Sequence, residues 1–298
     1  MATLKEVKTK IAAVKKTKQI TKAMNMVATS KLRGAQQKMD AFRPYAIKFA
    51  EVLGSLAEKA GGEASPLLMP REEVKKIHVI LCTSDKGLCA GFNSHLISMA
   101  EKFAKEKSEQ SIEVVFTNFG KKGRNWCRRN GFLILGEHLG IVGTKFGFNI
   151  ATVSGQKAVD GFLDEEYDEV YIIYSEFISR ARQVPVLKQI LPIPPIELPR
   201  EETTEGKKPY LAEHICEPST DELLGDMLPK NICVQLYSAL LETSTSEHAA
   251  RMTAMDNATK ACNDMVDSLT LTYNKARQAA ITADLMDIVG GAEALIKG

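Results

Sequence analysis

One heptad register runs unbroken from Leu4 to Leu56 and leaves this chain few folds to choose from. Position a is taken by Leu4, Ile11, Lys18, Asn25, Leu32, Met39, Ala46 and Leu53. Position d is taken by Val7, Val14, Thr21, Ala28, Ala35, Phe42, Phe49 and Leu56. Such a run is the pattern of a coiled coil, not of a helix packed once on a globule. Its weak stretch is Lys18-Thr21-Asn25, where polar side chains enter the seam; a polar residue there costs stability and fixes register. Pro44 falls at f, so a kink there turns away from the seam.

The other end repeats the theme. Leu241, His248, Met252, Met255, Cys262, Val266, Leu269, Tyr273, Ala276 and Ala280 share one helical stripe, interrupted by Thr245 and Thr259. The stripe reads as core, and its natural partner is the N-terminal helix. Two ends that pair around an inserted block run antiparallel. Helices over about 3–56 and 220–297 would measure ~80 Å and ~115 Å. With their inner ends level, facing residue numbers sum to roughly 275 and Met24 lies near Arg251. The last helix then overhangs by roughly 24 residues, ~35 Å, from about Tyr273. Ile281, Leu285, Ile288 and Leu295 on that overhang need a sleeve supplied by other chains.

The middle is punctuated by glycine and proline and alternates strand and helix patterns. Strands are predicted over Ile77–Cys82, Ile112–Phe116, Val170–Tyr174 and Val184–Ile193. Helices are predicted near Asn93–Lys107, Lys121–Arg129 and Phe148–Leu163. This alternation predicts a mostly parallel sheet with helices on both faces. The fold class is therefore α/β with long terminal helices: an antiparallel coiled coil of the two ends plus an inserted Rossmann-like α/β domain. The expected division is a helix over 1–58, the α/β domain over 74–193, an irregular connection over 194–218, and a helix over 219–298 whose segment 273–298 is the bearing.

Signals for chemistry are weak. No stretch is apolar for 18 residues or more, and the N-terminus lacks the apolar run of a secretory signal. It is amphipathic and poor in acids, as a mitochondrial presequence is, but the periodicity runs on far past presequence length, so it reads as mature structure. The six cysteines form no Cys-x-x-Cys pair, and the five histidines show no metal-ligand spacing. No metal, cofactor or catalytic residue is expected. Thr83–Gly91 matches neither common phosphate-loop pattern and reads as a structural turn. Cys89 reads as packing or cap, and Asp284 with Asp287 as solvated or facing a basic partner. The net charge of +2 hides an asymmetry. Residues 1–40 carry ten Lys/Arg against Glu6 and Asp40, a local balance of +8. That end wants an acidic partner, whether nucleic acid, anionic lipid or an acidic protein surface. A nucleic-acid-binding coiled coil would show aromatic residues or a groove-reading motif among those cations, and Met1–Asp40 has neither. A small-molecule enzyme built on the α/β block would need a convergent polar pocket.

Three stretches resemble the gamma subunits of F-type ATP synthases. They are Ile20-Thr21-Lys22-Ala23-Met24-Asn25-Met26-Val27-Ala28-Thr29-Ser30-Lys31, Ser84-Asp85-Lys86-Gly87-Leu88-Cys89-Ala90-Gly91, and Tyr273-Asn274-Lys275-Ala276-Arg277-Gln278-Ala279-Ala280-Ile281-Thr282 running on to Asp284, Asp287, Gly291 and Ala292. Arg251-Met252 fits as well. The family usually has glutamate at Asp284, arginine at Lys86 and glycine at Ala90. The resemblance implies a central rotor stalk without a catalytic site, coupling ion flow through the membrane ring to ATP synthesis in the catalytic head. Implied partners are the alpha and beta subunits, the epsilon subunit and the ring of c subunits, with no nucleic acid. Met24, Arg251, Arg277, Gln278 and Thr282 would contact beta-subunit loops, while Ile281, Leu285, Ile288 and Leu295 would ride in the bearing. The implied location is peripheral, on the cytoplasmic face of a bacterial inner membrane. No inserted cysteine pair of the chloroplast regulatory kind is present, so the resemblance implies no light-linked redox control.

Overall fold

The computed structural model describes residues 4–60, 65–194 and 219–297; the side chains of 57–60, 220–221 and 293–297 lie outside that description. Helix α1 spans Leu4–Ala60 without interruption, Pro44 included. Every a and d position of the predicted register is buried or half-buried along it, while Pro44 is exposed. A proline on the outer face removes one hydrogen bond where water replaces it, so the helix survives. A single 3-10 turn, Pro66–Leu68, follows.

By contact the chain divides into two units, Thr29–Ala250 and Met1–Ala28 with Arg251–Gly298. The first holds a five-stranded sheet. Its elements are β1 (Lys76–Cys82), α2 (Phe92–Glu109), β2 (Glu113–Phe119), α3 (Lys121–Arg129), β3 (Ile134–His138), α4 (Phe148–Leu163), β4 (Glu169–Phe177) and β5 (Gln183–Leu191). The strand order is β3-β2-β1-β4-β5, parallel except for β5, which returns antiparallel on β4. β1 is an almost continuous apolar run because both its faces are covered. Ile77, Val79 and Leu81 pack with Leu96, Phe103 and Trp126 of α2 and α3. Ile80 and Cys82 pack on the opposite side with Val159 and Phe162 of α4. Helix α5, Thr220–Lys297, joins that second layer through Leu224, Leu228, Ile232 and Leu236. Gly155 lets α4 lie against it, since a Cβ there would stand 2.8 Å from the Cys233 sulfur. α1 closes the layer with Met39, Leu53 and Leu56, and Phe42 meets Tyr237 of α5 edge-on at 4.7 Å.

The expected α3 and α4 coincide with the structure. Several details of the sheet differ. β3 was not expected, β2 and β4 run three residues further than expected, to Phe119 and Phe177, and the final strand ends at Leu191 rather than Ile193. The leucine–proline peptide Leu191–Pro192 is cis, and proline offers no N–H to continue a ladder. The connection expected over 194–218 lies outside the described residues beyond Pro194.

In the second unit α1 and α5 are antiparallel. Thr21 Oγ1 and Thr259 Oγ1 share a hydrogen bond of 2.8 Å, and Asn25 Nδ2 donates to the Met252 carbonyl at 2.8 Å. Facing residue numbers thus sum to about 280, close to the sequence expectation. Thr21, Thr259 and Asn25 thus find hydrogen-bond partners within the seam.

Candidate functional site

The 57 residues of α1 and 78 of α5 differ enough that, within the unit of the two ends, Leu4 faces the level of Tyr273 to Ala276. Beyond that level α5 continues with no α1 residue beside it. Tyr273, Ala276 and Ala280 are half-buried, and every residue from Ile281 to Ala292 is exposed. Gln278, Ile281, Leu285 and Ile288 follow one another at three- and four-residue steps and so share a face, as do Arg277 and Ile281. Arg277 and Gln278 are exposed; the Thr282 hydroxyl donates back to the Gln278 carbonyl at 3.0 Å. Leu295 belongs to the helix, but its side chain lies outside those described. Met24 and Arg251, both half-buried, stand at one level, each adjacent in sequence to a member of the Asn25–Met252 hydrogen bond. The structure therefore brings the expected residues together as two groups on the paired ends: Met24 with Arg251, and Arg277 with Gln278, Ile281, Leu285 and Ile288.

The turn after β1 is occupied by its own bonds. Asp85 accepts the amides of Lys121 at 3.1 Å and Gly140 at 2.9 Å. Ser84 is held by Asn93, and Thr83 Oγ1 accepts the Gly123 amide at 2.8 Å. Leu88 and Ala90 have φ of 63° and 48°. Glycine enters that conformation without steric cost, whereas Leu88 and Ala90 carry a Cβ into it. Cys89 is buried beneath the turn, its sulfur 3.2 Å from Asn93 Nδ2.

Open parallel sheets of this order bind ligands where the strand order reverses, beyond the carboxyl ends of β1 and β4. Here α5 lies against the carboxyl-terminal part of β4. Thr243, Ser244, Thr245, Ser246, Glu247 and His248 form an unbroken run of buried polar residues. Thr243 Oγ1 accepts the Ser175 amide of β4 at 3.4 Å, and Ser246 Oγ donates to the Ser175 carbonyl at 3.2 Å. Ser244 Oγ accepts the Gly143 amide at 3.3 Å, and the Gly143 carbonyl accepts Lys31 Nζ of α1 at 3.4 Å. Sequence reasoning missed this belt, treating Thr245 as a flaw in an apolar stripe. Its signal was the polar run itself, inside a helix otherwise patterned for burial. Elsewhere in the core, His78 bonds Thr117 through Nε2 at 2.8 Å, and burial lowers its pKa to about 4. His138 is likewise lowered, by burial first and then by Lys157. Among the described residues no helix is long and apolar enough to cross a membrane.

A family model described as ATP synthase matches residues 3–295. A protein of Desulfosudis oleivorans called ATP synthase gamma chain is 66% identical over 296 residues, covering 99% of both chains. Its counterpart in Desulforapulum autotrophicum is 64% identical over 298 residues, covering 99% of this chain and all of that one. Among solved structures, a chain of the Euglena gracilis mitochondrial ATP synthase shares the fold with a TM-score of 0.65 at 19% identity, covering 98% of this chain and 94% of its own. A chain from the central stalk and c-ring structure of the Tetrahymena thermophila mitochondrial enzyme aligns with a TM-score of 0.61 at 23% identity, covering 80% and 99%. On the strength of its full-length likeness to these gamma chains, this chain belongs to the ATP synthase gamma chain family.

Proposed function

We propose that the chain is the central rotating shaft of an F-type ATP synthase and works between four kinds of partner. It is a non-catalytic subunit: the complex makes and hydrolyses ATP. The observation that carries the reading is the far end of α5, a helix with Ile281, Leu285 and Ile288 exposed on one face and covered by none of the described residues. Such a face is unfavourable in water and favourable inside a protein sleeve. In this reading the alpha and beta subunits supply the sleeve, with the segment 273–298 as the bearing. The α/β domain (74–193) sits on the ring of c subunits, beside the epsilon subunit. The protein is then peripheral, on the cytoplasmic face of a bacterial inner membrane.

Rotation acts by differential contact. A shaft whose sides differ stabilises a different conformation in each catalytic site it faces, and turning it moves that bias from site to site. Met24 and Arg251 on one level, and Arg277, Gln278 and Thr282 higher up, are the residues assigned to beta-subunit loops. A guanidinium next to an amide offers directional donors; a hydrogen bond to a charged group contributes ~1.5–3 kcal/mol. Because such a bond forms in only one rotary state, its loss slows the cycle more than it weakens assembly. Arg277→Ala and Gln278→Leu are expected to give complexes of normal subunit composition with reduced ATP synthesis. Wild-type synthesis in both would remove these residues from the catch, and failure to assemble would make them structural.

A further inference from the structure

Ser175 occupies an unusual place in the sheet. The β1–β4 ladder ends at Leu81 opposite Ile173, so β1 offers Ser175 nothing. Its partner on β5 is Pro185, which has no N–H for the Ser175 carbonyl; the Ser175 amide needs an acceptor instead. A buried amide and carbonyl left in this state would each carry a desolvation penalty. Helix α5 supplies the missing partners: the Thr243 hydroxyl takes the amide and the Ser246 hydroxyl serves the carbonyl. The next residue inward, Ser244, takes the amide of Gly143, whose carbonyl in turn holds Lys31 of α1. Two adjacent sets of hydrogen bonds therefore tie α5 to the sheet at Ser175 and, through the loop at Gly143, to α1.

We infer that Thr243, Ser244 and Ser246 are positioning residues that lock the sheet to the two helices against rotation, so that torque reaching the α/β domain is delivered to the coiled coil. The inference rests on the rotor reading above. Apolar packing is non-directional and tolerates sliding or turning of a helix on a sheet. Buried hydrogen bonds do not, because any other register strands the amide and carbonyl of Ser175. The same bonds explain why the belt is polar although it lies in the core: its hydroxyls specify one angular setting. Gly143 contributes too, since its φ of +80° and the closeness of Glu247 leave no room for a side chain where the loop meets α5.

The test uses the complete synthase, with variant chains, reconstituted in lipid vesicles. Thr243→Val and Ser246→Ala remove hydroxyls at nearly constant volume; Thr270→Val removes an exposed hydroxyl that bonds within its own helical turn and serves as control. Two quantities are read: ATP hydrolysis, and protons pumped per ATP hydrolysed. Each lost bond is expected to raise the population of slipped settings about fivefold to tenfold. The double variant should keep normal subunit composition and hydrolysis within about twofold, while its pumping ratio falls several-fold, consistent with that shift. Thr243→Ser in place of Thr243→Val, beside Ser246→Ala, restores one hydroxyl and should recover the part of the ratio that the valine cost. A purely structural role would lower thermal stability and yield while leaving the ratio unchanged, and that result in the double variant overturns the lock. Should the double variant fail to assemble, Ser244→Ala, which removes one neutral bond, carries the same comparison, and an unchanged ratio there overturns it equally. A wild-type complex that hydrolyses ATP but pumps neither protons nor sodium ions would instead refute the rotor reading.

Discussion

Replacing Ile281, Leu285 and Ile288 together by alanine tests whether the free end of α5 is gripped by other chains. These side chains are 51%, 56% and 68% exposed, so between a half and two thirds of each remains to be covered. Full burial of such a side chain is worth about 2 kcal/mol, so insertion into a sleeve recovers about 1 kcal/mol for each. Alanine retains part of that, which leaves a loss of roughly 2–3 kcal/mol for the three, or about 30- to 150-fold in affinity. The isolated chain should be unaffected, because alanine at exposed helical positions is at least as good a helix former as leucine or isoleucine. Wild-type and variant chains, differently labelled, would compete for a limiting amount of alpha and beta subunits, with circular dichroism confirming equal helix content. The wild-type chain is expected in nearly all assembled heads. Equal incorporation of the two would show that the exposed face touches nothing, and the bearing argument would fall.

The core offers two further tests. His78, with its pKa lowered to about 4 against ~6.5 in an unfolded chain, refuses a proton that the unfolded chain accepts. Its contribution is therefore complete above about pH 6.5 and is lost as pH falls toward 4, up to ~3 kcal/mol in all. His138 acts in the same direction. Urea unfolding of His78→Gln across that range should show a visibly shallower pH dependence than wild type, and an identical slope would refute the assignment. Gly120→Ala should be destabilising by ~3 kcal/mol, since φ is +99° and the added carbon would press on the Thr83 carbonyl. A wild-type urea midpoint would show that this turn can relax.

The long helices were legible because their information is local and repeated. Heptads from Leu4 to Leu56 fix the buried face residue by residue, and the facing register followed from the two lengths to within a few positions. β3 was missed because Ile134–His138 is short, contains Gly136, and alternates half-buried with exposed residues at a sheet edge. The alternation through Phe132, Ile134 and Gly136 was its trace. The antiparallel return of β5 was not legible either, since strand direction is settled by the connection between strands and by pairing partners. At the candidate site, Arg277, Gln278 and the apolar face beside them could be placed from helical spacing alone. The polar belt from Thr243 to His248 could not, because its partners, Ser175 and Gly143, are about 70 and 100 residues distant and meet it only through the sheet.

The Thr21–Thr259 and Asn25–Met252 bonds also act as a gauge of length. Apolar rungs of a coiled coil exchange neighbours at little cost, so a seam made of them alone can shift by whole heptads. A shift of one heptad would move the tip of α5 by ~10 Å relative to the start of α1. It would also leave the Asn25 amide and both threonine hydroxyls facing the wrong residues. Two polar rungs near the far end therefore determine how much of α5 protrudes beyond its partner. Substituting Thr21, Asn25 and Thr259 with apolar residues would strengthen the seam and release this calibration, giving a chain that is more stable and less certain of its own reach.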